Sequence, residues 1–62
     1  MSTPENAFMN DMDLVYKFIK NSEPLKCECM MFLLIHIRKY PHQSIKWCMN
    51  EALLEWDCEL IK

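Results

Sequence analysis

The sequence predicts an all-α fold: three helices in one small unit of 62 residues, associating with a second copy as a symmetric homodimeric bundle. Three observations carry that expectation. The run Cys29 to Ile35, followed by His36 and Ile37, lies midway along the chain. As a helix it is apolar around its whole circumference and needs cover on every side. The segments flanking it repeat apolar residues at helical spacing, so each offers one face to it. The chain is also 52% hydrophobic and has no glycine, more apolar surface than a lone fold of this length readily hides.

The first helix is expected over about residues 5–20. Thr3 suits its cap, Pro4 its first turn, and Glu5 the positive end of its dipole. Phe8, Met12, Val15 and Ile19 form its apolar stripe, flanked by Leu14 and Phe18, and Asn21 is a candidate left-handed stop. The second helix is expected over about 24–40, with Pro24 in its first turn, Arg38 and Lys39 at its negative end, and Pro41 ending it. A buried strand over Phe32 to Ile37 is the competing reading, but no second strand candidate exists to pair with it. The third helix is expected over about 44–60, capped by Ser44. Its stripe is Ile45, Met49, Ala52, Leu53, Trp56 and Leu60, widened by Trp47 and Cys48. Glu51, Glu55 and Glu59 stand four apart on the other side, an acidic ridge that a basic partner would relieve. No repeat or linker divides residues 1–62. The chain also reads as a candidate N-terminal fragment of a longer protein.

A net charge of −2 argues against general binding to nucleic acid or membrane surfaces, which calls for a basic excess. The charge is unevenly placed: His36, Arg38, Lys39, His42 and Lys46 make a basic junction, and the last segment is acidic. That asymmetry suits head-to-tail or antiparallel pairing of copies. The opening Met1 to Asn6 is polar and does not read as a signal peptide. The central run is shorter than the roughly 20 apolar residues that span a bilayer. The expected compartment is therefore reducing, cytoplasmic or nuclear, with the four cysteines as thiols. Six methionines supply adaptable packing surface.

Cys27, Cys29, His36, His42, Cys48 and Cys58 raise the question of zinc. On a helix Cys27 and Cys29 point in nearly opposite directions and cannot clamp one tetrahedral ion, so no metal and no cofactor is expected. A cysteine–histidine nucleophile lacks an oxyanion site and a pocket, and no catalytic residue is assigned. His36 is read as a helix-edge histidine packing on its neighbours. A helix-turn-helix would need polar and basic residues early in its recognition helix, whereas the third helix starts Ile45-Lys46-Trp47-Cys48-Met49. Direct nucleic-acid binding is not expected.

From Leu33 to Trp47 the chain resembles the dimerisation-and-docking motif of RIIα-type regulatory subunits of cyclic-AMP-dependent protein kinase and of Dumpy-type subunits of histone methyltransferase complexes. Pro41, Ile45 and Trp47 carry the likeness, with Leu25, Cys29, Phe32 and Ile37 upstream and Met49 and Ala52 downstream. Glu28 and Glu51 depart from it, standing where apolar or aromatic residues belong. The resemblance implies an X-shaped four-helix bundle whose groove takes a partner's amphipathic helix. Pro24 and the run Met30 to Ile35 are also similar to the ubiquitin-associated-like dimerisation domain of Doublesex-type sex-determination factors. That likeness implies a homodimer in a transcription regulator. Cys48 and Cys58, with nine residues between them, look like half of the paired-cysteine hairpins of the mitochondrial intermembrane space, but Cys27 and Cys29 do not supply the second pair.

The expected role is a non-enzymatic protein–protein interaction module that homodimerises and docks a protein partner, with a subunit folding on a larger hetero-partner as the alternative. Cys29, Met30, Met31, Phe32, Leu34, Ile35 and Ile37 are the expected dimer contacts. Trp47, Glu51, Glu55 and Glu59 are the docking candidates. Met12, Val15, Ile19, Ile45, Met49, Ala52 and Trp56 are the expected core.

Overall fold

The computed structural model describes residues 4–62, with side chains from residue 12 onward. The Thr3 cap and the Phe8 side chain lie outside the described residues. The fold is all-α, and the described residues contain no strand: α1 spans Pro4–Ser22, α2 Lys26–Lys39 and α3 Ile45–Glu55.

Helix α1 runs through Asn21 and ends at Ser22, so Asn21 is not its left-handed stop. Ser22 is buried there, and its hydroxyl donates to the Ile19 carbonyl at 3.1 Å, which satisfies the group inside its own helix. Pro24 lies in the joint ahead of α2 rather than in its first turn. The Leu25 N–H donates to the Ser22 carbonyl at 2.6 Å, which makes Leu25 the flanking residue. No side chain caps that end of α2.

The α2–α3 joint follows the chemistry of its residues. Tyr40 closes α2 through its N–H to the His36 carbonyl at 2.8 Å. Pro41 follows, and the Gln43 N–H reaches the Tyr40 carbonyl at 3.1 Å to close the turn. The Ser44 hydroxyl oxygen then accepts from the Trp47 N–H at 3.1 Å, supplying one of the orphan donors of the new helix with a partner.

Helix α3 stops at Glu55, well short of residue 60. The Cys58 N–H donates to the Leu53 carbonyl at 2.9 Å and the Asp57 N–H to the Leu54 carbonyl at 3.1 Å, with Asp57 at φ 57°. That is a Schellman ending, with an aspartate in the left-handed position that glycine usually takes. The position costs a residue bearing a Cβ, and a carboxylate there also faces the negative end of the helix dipole. Asp57→Gly removes both penalties. It is expected to raise stability by about 0.5–1 kcal/mol, read as a thermal midpoint a few degrees higher.

Beyond Asp57 the chain folds back onto the helices. The Asn50 side chain holds Ile61 by both backbone groups: its amide donates to the Ile61 carbonyl at 3.0 Å, and its carbonyl accepts from the Ile61 N–H at 2.7 Å. This clasp seats the Ile61 side chain in the core. Asn50→Ala strands both groups and is expected to cost about 2 kcal/mol in urea unfolding, with the slope unchanged.

The core consists of Phe18, Cys29, Leu33, Cys48, Met49, Ala52, Leu53 and Ile61. Helix α3 supplies half of it, so the centre of packing is α3, not the Cys29–Ile37 run. Met49 and Ala52 are buried and Trp56 is half-buried, whereas Met12, Val15, Ile19 and Ile45 are exposed. Helix α1 turns Phe18, Ser22 and Leu14 inward instead. Met12, Val15 and Ile19 of its expected stripe therefore point outward, because α1 docks through the side that carries Phe18.

Candidate functional site

The chemistry-bearing features of the molecule are two exposed apolar faces, an aromatic seam and a pair of thiols.

Helix α2 is apolar on two opposite sides. Cys29 and Leu33 point into the core, with Phe32 and Ile37 packed against it. A turn away, Met31 is 62% exposed, Leu34 52% and Ile35 51%, and Met30 is exposed beside them. At 3.6 residues per turn, Met30, Met31, Leu34 and Ile35 form one continuous patch, with Cys27 and Arg38 on the same side. Helix α1 carries the second exposed face, Met12, Val15, Tyr16 and Ile19, at the spacing of an amphipathic stripe.

The α2–α3 seam is aromatic. Phe32 meets Trp56 edge-on with ring centres 5.6 Å apart, and Tyr40 meets Trp47 in the same manner at 5.3 Å. These pairings place the start of α3 beside the end of α2, so the two helices run antiparallel. His36 lies between the pairs, stacked on Tyr40 at 5.8 Å and edge-on to Trp47 at 6.4 Å. Its Nδ1–H donates to the Phe32 carbonyl at 2.7 Å, which fixes the ring in its own helix as a packing group and leaves it poorly placed to activate a nucleophile. The buried Trp56 indole N–H has no hydrogen-bond partner, and nothing in the structure explains it.

Cys29 and Cys58 are brought together by the reversal of the chain at Asp57. Their sulfurs lie 3.9 Å apart, with Cys29 fully buried and Cys58 half-buried. Burial pushes the Cys29 thiol up to about 11, and the contact with Cys58 and the nearby Glu28 carboxylate add to the effect. Among the described residues, no three His, Cys, Asp or Glu side chains gather as a metal-binding group. A cleft of about 480 Å³ is open and lies between α1 and the tail, lined by Tyr16, Lys17, Lys20 and Leu60 among others. Lys17 is already paired with Asp13 at 3.1 Å.

No family model matches this chain, and no curated protein or solved structure matches it either.

The expected dimer contacts divide between the two sides of α2. Met30, Met31, Leu34 and Ile35 share the exposed patch. Cys29 does not belong to any surface, since it is fully enclosed by its own chain. Phe32 and Ile37 are half-buried in the intramolecular packing. Of the docking candidates, Trp47 is half-buried in the aromatic seam, Glu51 is half-buried, and Glu55 is exposed beside exposed Leu54. Glu59 lies on the tail, so the ridge of three glutamates does not exist: α3 ends before it can form. The thiol pair and the Asn50 clasp escape a reading of spacing, because both depend on where the tail turns back. Among the described residues, no helix is long and apolar enough to cross a membrane.

Proposed function

We propose that this chain is a non-enzymatic self-association module whose two-fold interface is the exposed side of α2. The observation that carries this reading is the patch Met30, Met31, Leu34 and Ile35, four large apolar side chains contiguous on one helix and left in water by the single chain. The preferred occupant is a second copy of the same patch, because the charges bracketing it are self-complementary. Glu28 stands in the first turn of α2, and Arg38 and Lys39 stand in its last. Antiparallel pairing about a two-fold axis carries each Arg38 toward the partner's Glu28, whereas parallel pairing sets Arg38 against Arg38. Exposed charge pairs of this kind contribute little affinity but select the orientation. The result is an isologous contact with methionine and leucine at its centre.

Light scattering on a sizing column across a concentration range tests the proposal. A helical species of twice the 7.5 kDa chain mass, dissociating on dilution, is the expected result. A folded species that stays at the single-chain mass up to millimolar concentration would overturn it.

A further inference from the structure

We propose that Cys29 and Cys58 form an oxidation site at which peroxide closes an intramolecular disulfide, pinning the C-terminal tail to α2. The two sulfurs are at contact distance, 3.9 Å, although the residues are far apart in sequence, on α2 and just past the Schellman turn. A disulfide needs the sulfurs at about 2.05 Å, so closure requires an approach of somewhat under 2 Å. Rotation of the two cysteine side chains, with a small shift of the tail between the Schellman turn and the Asn50 clasp, can supply it. Of the other two thiols, Cys27 is exposed on the opposite side of α2 and Cys48 is buried in α3.

The local hydrogen bonds orient the pair. The Cys58 thiol donates to the Trp56 carbonyl at 3.6 Å, which leaves the shared sulfur contact to be donated by the Cys29 thiol. Cys58, the more exposed of the two, reacts first. Its sulfur attacks hydrogen peroxide, the O–O bond breaks, and Cys58 becomes a sulfenic acid as one water leaves. The Cys29 sulfur then attacks the Cys58 sulfur, the S–O bond breaks, and the hydroxyl departs with the Cys29 proton as a second water. Two thiols are oxidised by two electrons and one peroxide is reduced to two waters. Burial holds Cys29 as a protonated thiol, which makes the second step the slower one.

The bond fastens the tail that carries Ile61 into the core, and it leaves the outward patch of α2 untouched. It therefore stands or falls independently of the proposed pairing of copies. The experiment treats the full chain with stoichiometric hydrogen peroxide, blocks free thiols under denaturing conditions, and maps the digested peptides by mass. Expected are a loss of two hydrogens from the monomer mass, a peptide joining Cys29 to Cys58, and a thermal midpoint higher by roughly 10 °C that returns on reduction. In the Cys29→Ser variant, a sulfenic-acid trap is expected to label Cys58. Cys29 and Cys58 both remaining alkylatable while Cys27 carries the oxidation, as a sulfenic acid or an intermolecular bridge, would overturn the proposal. That readout needs only the unaltered chain, so a variant that fails to fold does not shield it.

Discussion

Replacing Leu34 with glutamate is expected to turn a concentration-dependent dimer into a folded monomer, with the association constant lowered roughly a thousand-fold. Leu34 is half exposed on the single chain, so the substitution removes little from the chain's own core. Across a two-fold axis the same change is met twice. A carboxylate buried at the centre of an apolar contact costs about 2 kcal/mol or more per copy, and two copies give about 4 kcal/mol. That is the thousand-fold change. Light scattering reads the mass, and circular dichroism on the same fractions reads whether the helices persist. Both readings are needed. A mutant that stays dimeric removes the α2 patch from the interface, and a mutant that loses its helices shows that Leu34 supports the fold of the single chain. Phe32 is the wrong position for this test despite lying in the same run. Its ring packs against Trp56, and a charge there unfolds the α2–α3 seam before it reports on pairing.

The elements were largely legible because their punctuation is local. Pro41 ends α2, Ser44 caps α3, and the helical spacing of apolar residues marks all three segments. The faces were legible only where apolar residues occupy one side. On α3 the buried set Cys48, Met49, Ala52 and Leu53 follows the stripe, because polar residues mark the other side. On α1 two sets compete: Met12, Val15 and Ile19 at one angle, and Leu14, Phe18 and Ser22 at another. Spacing alone favours the first, and the fold buries Phe18 and Ser22 of the second, with Leu14 half-buried beside them. The decision is tertiary, since Phe18 has the volume to fill the core and Ser22 hides its hydroxyl in its own helix. The end of α3 was illegible for a different reason. Asp57 holds a left-handed conformation that sequence signals assign to glycine or asparagine, so the apolar spacing runs on to Leu60 with no stop marked. Three misses at the candidate site follow from that one turn: the lost glutamate ridge, the thiol pair and the clasp at Asn50.

Phe18→Ala is expected to cost about 3–5 kcal/mol, against less than about 1 kcal/mol for Ile19→Ala on the same helix. Phe18 is 1% exposed and is the largest side chain that α1 contributes to the core; Ile19, its neighbour, is 38% exposed. A chain of this size carries a total stability of only about 3–9 kcal/mol, so losing Phe18 removes a large fraction of it; among the described residues, α1 packs less extensively on α2 and α3 than they do on each other. The comparison belongs in the Leu34→Glu background, because pairing of copies would make the apparent stability depend on concentration. Urea unfolding followed by far-ultraviolet circular dichroism supplies both numbers. If Ile19→Ala proves the more damaging of the two, α1 docks through the Met12, Val15 and Ile19 stripe, and the orientation described for it is wrong. If Phe18→Ala dominates, the stripe is surface, and α1 keeps Met12, Val15, Tyr16 and Ile19 in solvent as a second apolar face beside that of α2.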